Sequence, residues 1–493
     1  MRLVRWLHQL TKVPKWHHKV PDQADETAHL NSSAFDGDRQ GLPKKSAEEI
    51  ESCRKAAEQG NADAQYDLGM IYFLGDGGQR EYDKAVKWWR MSAERGNRDA
   101  QRDLGVMYFS GVGVRQDYGK AAELYRMAAE QGDFTAQSHL GTMHLNGQGV
   151  AQDYAEAVKW FLKAAKYGDT VAQLNLGASY LSGRGVIQDD AEAVKWFLKA
   201  AKQGSIVGQR RMGVMYMNGQ GVRQDFSEAA RWYEKSADQG DGYSQLCLGL
   251  MYVNGEGVEQ DYGEALRWLL KAAEQGEVMA QRNLGVMYHE GPDLLRNDTE
   301  AAKWFRRAAE QGDASAQNVL GTMLAKGHGG AQDNIEAVKW YRKAAEQGDA
   351  QAQFNLGVAY YAGCGTSQNY AEAAKWLLKA AEQGIPQAMY NLGKMYIHGH
   401  GVRQADTEAA KWHQRAAEKD YAESQFQLGL MYVRGRGVSQ DSVQGLMWLN
   451  LAVSRASGDD QRRYAELRDL TAEQMTPAQL AMALRLAGEW EPK

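Results

Sequence analysis

A glycine that returns every 36 residues constrains this chain more than any other feature. It runs in register from Gly60 and Gly96 to Gly348 and Gly384, and Asp420 takes the next place. A second glycine keeps the same step from Gly69 to Gly429. Tryptophan keeps it from Trp88 to Trp448, with Leu124 in the one gap, and this register holds ten of the 14 tryptophans. As compact globules, 493 residues would make about three domains. A fixed period instead points to an array of eleven units, 61–456, each one supersecondary element.

The unit 169–204 shows what is repeated. Ala172, Leu176 and Tyr180 lie four residues apart and form one stripe of a helix, helix A. Ser182-Gly-Arg-Gly breaks it. A second helix, helix B, then opens with Asp190 as its expected N-cap. It buries Ala193, Trp196, Phe197, Ala200 and Ala201, and ends at Gly204, where a left-handed residue is wanted. Gly177 inside helix A costs about 1 kcal/mol in helix propensity. Its return in every unit predicts a close helix approach there. Two such helices cannot cover their own apolar faces, so neighbouring units must stack into one continuous core. Most of the 53 glycines fall at these repeat positions, and only 7 prolines occur in the chain.

The consensus A-Q-x-x-L-G-x-M-Y-x-x-G-x-G-V-x-Q-D-Y-x-E-A-x-K-W-x-x-K-A-A-E-Q-G resembles the Sel-1-like repeat, a relative of the tetratricopeptide repeat. Units from Asn97, Asp241 and Asp349 match it closely. The resemblance implies an all-α fold, an α/α right-handed superhelical solenoid of helix-turn-helix repeats. It also implies an adaptor that binds protein or peptide partners and is not an enzyme, with no cofactor. Tails after the last repeat are common in the bacterial branch of the family. The loop Glu290-Gly-Pro-Asp-Leu-Leu-Arg-Asn and the Gly327-His-Gly-Gly element depart from the consensus and put the local loop shape in doubt.

The ends read as caps. Residues 46–60 form an N-terminal capping helix opened by the box Ser46-x-x-Glu49. Residues 457–493 form C-terminal capping helices, the last opened by Thr476-Pro477-x-Gln479. Residues 1–45 are a basic amphipathic segment followed by a flexible linker. Leu3, Trp6, Leu7 and Leu10 share one face with Arg2, Arg5 and Lys12 off it. Residues 1–12 suit an anchor on an anionic membrane surface or a partner-docking helix, with a frayed tail or a helix folded back on the solenoid as the plain alternative.

Charge excludes some classes. The formal net charge is −5 with both signs interleaved, so there is no basic stripe for nucleic acid. Three cysteines at unrelated spacings do not make a secreted disulfide framework. No run reaches the about 20 apolar residues of a membrane span, and no secretory signal is evident, so a cytoplasmic protein is expected.

Function is expected where the units vary. On helix A the variable sites fall at offsets 0, 4 and 7, on one helical face. By analogy with tetratricopeptide arrays that face lines a groove for a peptide or helix. Its expected partner contacts are Tyr66, Phe73, Arg102 and Phe109 toward the front, and Phe354, Tyr361, Tyr390 and Phe426 toward the back. The alternative is that they pack on neighbouring helices. Chemistry is sparse. Ser52-Cys-Arg-Lys55 matches S-x-x-K and leaves a β-lactamase-like hydrolase as a second reading, without the S-D-N or K-T-G elements. A membrane-tethered regulator using residues 1–12 is a third. The eleven histidines show no metal pattern: His398-Gly-His400 shares a loop, and His139 and His144 are poorly spaced.

Overall fold

Side chains at the helix ends set the elements. In the fourth repeat, Asp169 accepts the Ala172 amide at 2.6 Å, helix A runs Thr170–Ser182, and Gly183 stops it at φ 69°. Asp189 then caps helix B, Asp190–Lys202, by accepting the Glu192 amide at 2.9 Å. Asp190 is therefore the first helical residue, one place beyond its expected role as cap. The Asp189 amide donates to the Tyr180 carbonyl at 2.9 Å. That bond holds Asp189 extended, with its carboxylate over the free amides of the first turn. At the far end, Gly204 and Ser205 donate back to Ala201 and Ala200, which closes the helix in a Schellman turn.

A computed structural model describes residues 46–75 and 79–492. The amphipathic segment and linker expected over residues 1–45 lie outside the described residues. Among the described residues there are 25 helices and no strand. The chain divides into two compact units, one ending at Ala272 and the other running from Ala273. Each unit is a stack of helix pairs, a helical-repeat solenoid.

Within a pair, the recurring glycine is a docking notch. A Cβ placed on Gly177 would sit 2.6 Å from the Phe197 ring, so helix B can seat its deepest aromatic only against a bare backbone. Phe161 and Phe305 fill the equivalent places over Gly141 and Gly285. The periodic tryptophan lies one residue earlier and is almost as buried: Trp160 is 7% and Trp196 8% exposed. Lysine ammonium groups cover their rings, Lys163 at 3.7 Å from Trp160 and Lys199 at 3.6 Å from Trp196.

Between pairs, a glutamine stitches three helices. Gln101 donates to the Ala93 carbonyl of the preceding helix B at 3.1 Å. It accepts from Gln131, at the end of its own repeat's helix B, at 2.8 Å. Gln317 does the same with Ala309 and Gln347 in the other unit. A buried amide with both ends used adds stability and fixes register.

Helices flank the repeats on both sides. Ser46 and Glu49 form a reciprocal capping box on Ala47–Glu58, and Thr476 and Gln479 form another on Pro477–Glu489. Beyond the last repeat, Tyr464 stacks on Phe426 at 4.1 Å and Trp490 meets Trp448 edge-on at 5.8 Å.

The loop 290–297 does change shape. Gly291 is extended, with φ −66° and ψ −175°, where the other repeats hold a left-handed glycine. The Asn297 amide still reaches the Tyr288 carbonyl at 2.8 Å, so the register into helix B survives. The loop at Gly327 keeps the ordinary form, with Gly327 at φ 70° and Gly329 at φ 79°.

Candidate functional site

Helix A presents its variable residues on one face, but that face is open to different degrees along the chain. In the unit ending at Ala272 it is closed in places: Leu246, Leu250 and Val253 are all buried. In the unit from Ala273 it opens at helices Ala350–Ala362 and Pro386–His398. There Val358 is 37% exposed, and Phe354, Tyr361, Tyr390, Lys394 and Ile397 are half-buried.

The eight expected contact residues therefore separate. Phe73 and Phe426 are only 6% and 5% exposed. Phe73 packs on Trp89 and Tyr82, and Phe426 lies under Tyr464 of the helix Gly458–Ala472. Their apolar character is used by packing inside the protein. Phe109 is half-buried, with its ring edge on Tyr118 at 5.1 Å. Tyr66 donates its hydroxyl to Asp103 at 2.9 Å. Phe354, Tyr361, Tyr370, Ile385 and Tyr421 are part-buried and pack against the buried cluster around Leu377, Met389 and Trp412. Tyr390 sits at 5.7 Å from both His413 and Tyr421.

Arg102 is held internally. Its guanidinium donates to Asp103 at 2.9 Å, Asp99 at 2.8 Å and Asp133 at 3.0 Å. Burial works against its charge, but the attraction of Asp103 and Asp133 prevails and holds its pKa above the ordinary arginine value. Asp133 is also the cap of the next helix A, where it receives the Ala136 amide at 2.7 Å. Arg210 with Asp241 at 2.9 Å and Arg282 with Asp313 at 3.0 Å repeat the arrangement. The signal was present in the sequence: arginine in one column and a capping aspartate 31 residues on.

Two further groupings lie off this face. Ser52 and Lys55 are both exposed on helix Ala47–Glu58, with no hydrogen bond between their side chains among the described residues. At the irregular loop, His289 Nδ1 lies 2.6 Å from Asp298 Oδ1, and the His328 ring stands 5.8 Å from that of His289. No described helix is long and apolar enough to cross a membrane.

The Sel1 repeat model matches eleven consecutive segments of this chain, the first over residues 62–97 and the last over 422–457. Among solved structures, c5321, a protective antigen of uropathogenic Escherichia coli strains displaying an SLR fold, is 39% identical. The match has a TM-score of 0.78 and covers 89% of this chain and 93% of that one. A Sel1 repeat protein from Oxalobacter formigenes is 33% identical with a TM-score of 0.51, covering 63% of this chain and 90% of its own. A search of curated proteins gives no match.

Proposed function

From the premise that this chain belongs to the Sel1 repeat family, we propose that it is a non-enzymatic adaptor holding a protein or peptide partner on its helix A face. Sel1-repeat proteins are in general scaffolds for protein interaction and bind protein partners. The observation that carries the finer reading is the half-open aromatic surface on helices Ala350–Ala362 and Pro386–His398. Phe354, Tyr361 and Tyr390 are half-buried and Val358 is exposed, on the face that the sixth repeat fills with the buried Leu246, Leu250 and Val253. Large rings left half-covered suit the burial of apolar side chains from a peptide or helix, with aromatic anchors at the centre. Tyr66, Arg102 and Phe109 form a second, front surface in the other unit. There Arg102 acts by holding Asp103 and, through it, the Tyr66 hydroxyl in place.

The paired substitution of Phe354 and Tyr390 by alanine tests the proposal. Partner capture from the native cell should fall at least tenfold, while the melting temperature moves by only a few degrees. Capture that persists while the melting temperature drops would assign both rings to packing and remove the proposal.

A further inference from the structure

The repeat brings three side chains together wherever one loop meets the next, and at one junction all three are metal ligands. The junction has a fixed build. The second glycine of an ordinary loop packs its bare Cα directly on the first residue of the preceding repeat's helix B: Gly401 on Tyr370, Gly437 on Asp406, Gly329 on Asp298. The residue just before that glycine therefore lies beside the first residue of helix B. The last-turn residue of helix A completes the group. Where the three are aromatic they stack, as Tyr361, Tyr370 and His400 do, with His400 on Tyr370 at 4.7 Å. Where two are charged they pair, as Arg436 does with Asp406 at 2.9 Å.

At the junction between the seventh and eighth repeats the same three places hold His289, Asp298 and His328. One ligand atom from each lies within 4.8 Å of the others, and this is the set of three such ligands that stands out among the described residues. His289 and Asp298 are part-buried, with side chains 24% and 42% exposed, and His328 is on an exposed loop. The helix A before this junction also ends in the irregular loop. In ordinary repeats a loop glutamine donates to the end of helix A, as Gln368 does to Tyr361 at 2.9 Å. Here Arg296 stands in that glutamine's place, and the His289–Asp298 contact joins the Asn297–Tyr288 backbone bond in tying the end of helix A to the start of helix B.

We propose that His289, Asp298 and His328 bind a zinc(II) ion, with water in the fourth position. Two imidazoles and one carboxylate suit a borderline divalent ion and are poor ligands for calcium or magnesium. Bond lengths of about 2.0–2.2 Å place tetrahedral ligand atoms about 3.3 Å apart. The 2.6 Å His289–Asp298 contact opens slightly, a neutral His289 keeps its proton on the nitrogen that faces away from the ion, and the exposed His328 moves inward on its loop. The ion then joins helix A and helix B of one repeat to the loop of the next.

Calorimetric titration of the metal-stripped full chain with zinc chloride tests this. One equivalent should bind, and His328→Ala should weaken binding about tenfold or more. His289→Phe should do the same, because phenylalanine occupies this place in the second repeat as Phe109 and preserves the packing. Magnesium chloride should give no comparable binding. Circular dichroism and a melt without zinc confirm that both variants fold. Zinc should raise the melting temperature of the wild type and not of the variants. Unaltered affinity in His328→Ala and His289→Phe would place the zinc elsewhere, for example at His17 and His18, and overturn the proposal. So would the absence of zinc binding by the wild type.

Discussion

Replacement of His413 by phenylalanine should free the second unit from an acid-sensitive core position. In most repeats the residue over the helix A glycine is aromatic or aliphatic, such as Phe305 over Gly285 or Leu377 over Gly357. His413 takes that place over Gly393 and is fully buried. Its Nδ1 lies 3.4 Å from the Ser424 hydroxyl, and its Nε2 has no hydrogen-bond partner. Burial first, and then the nearby Lys394 charge, push its pKa down from 6.5 to about 4. The folded protein therefore holds a neutral ring, and the unfolded chain takes up the proton first as pH falls. Stability from this site is present above about pH 6.5, is lost between there and about pH 4, and changes little below. At 1.36 kcal/mol per pH unit, the gap between 6.5 and 4 amounts to about 3 kcal/mol. About 2.5 kcal/mol of it is already lost at pH 4.5. For a unit of this size that is about 5–10 °C of melting temperature. Melts of wild type and His413→Phe at pH 7.5 and pH 4.5 isolate the effect, because other groups titrate alike in both. The advantage of the variant should widen by that amount at the lower pH. An equal difference at both pH values would refute the reasoning.

Gly177→Ala should destabilise by about 1–3 kcal/mol in urea unfolding, because the new methyl group meets Phe197 at 2.6 Å and overpacking outweighs the gain in helix propensity. Gln101→Leu should cost about 2 kcal/mol, since it breaks one buried and one part-buried hydrogen bond. Gln65→Leu should cost about 1 kcal/mol less, because the Gln65 Oε1 atom has no hydrogen-bond partner and Arg95 stands where Gln131 would be. Purified protein should not turn over nitrocefin; turnover abolished by Ser52→Ala would revive the hydrolase reading.

The periodic glycines, tryptophans and loop aspartates determined the helices, their ends and their stacking. Each of those effects acts over a few residues or one fixed step, and both are visible along a chain. Gly177 could be read as a close approach because only packing explains a costly glycine kept in every unit. The one-residue error at Asp190 arose because two aspartates stand side by side, and only the Asp189–Tyr180 bond selects between them. Tertiary structure alone decided which variable residues remain open. Phe426 reads like Phe354 in sequence, but Tyr464 from a helix outside the repeats covers it. The same holds for His289, Asp298 and His328. Their places recur in the repeat, but that these places meet depends on Gly329 allowing one loop to rest on the backbone of the preceding repeat's helix B.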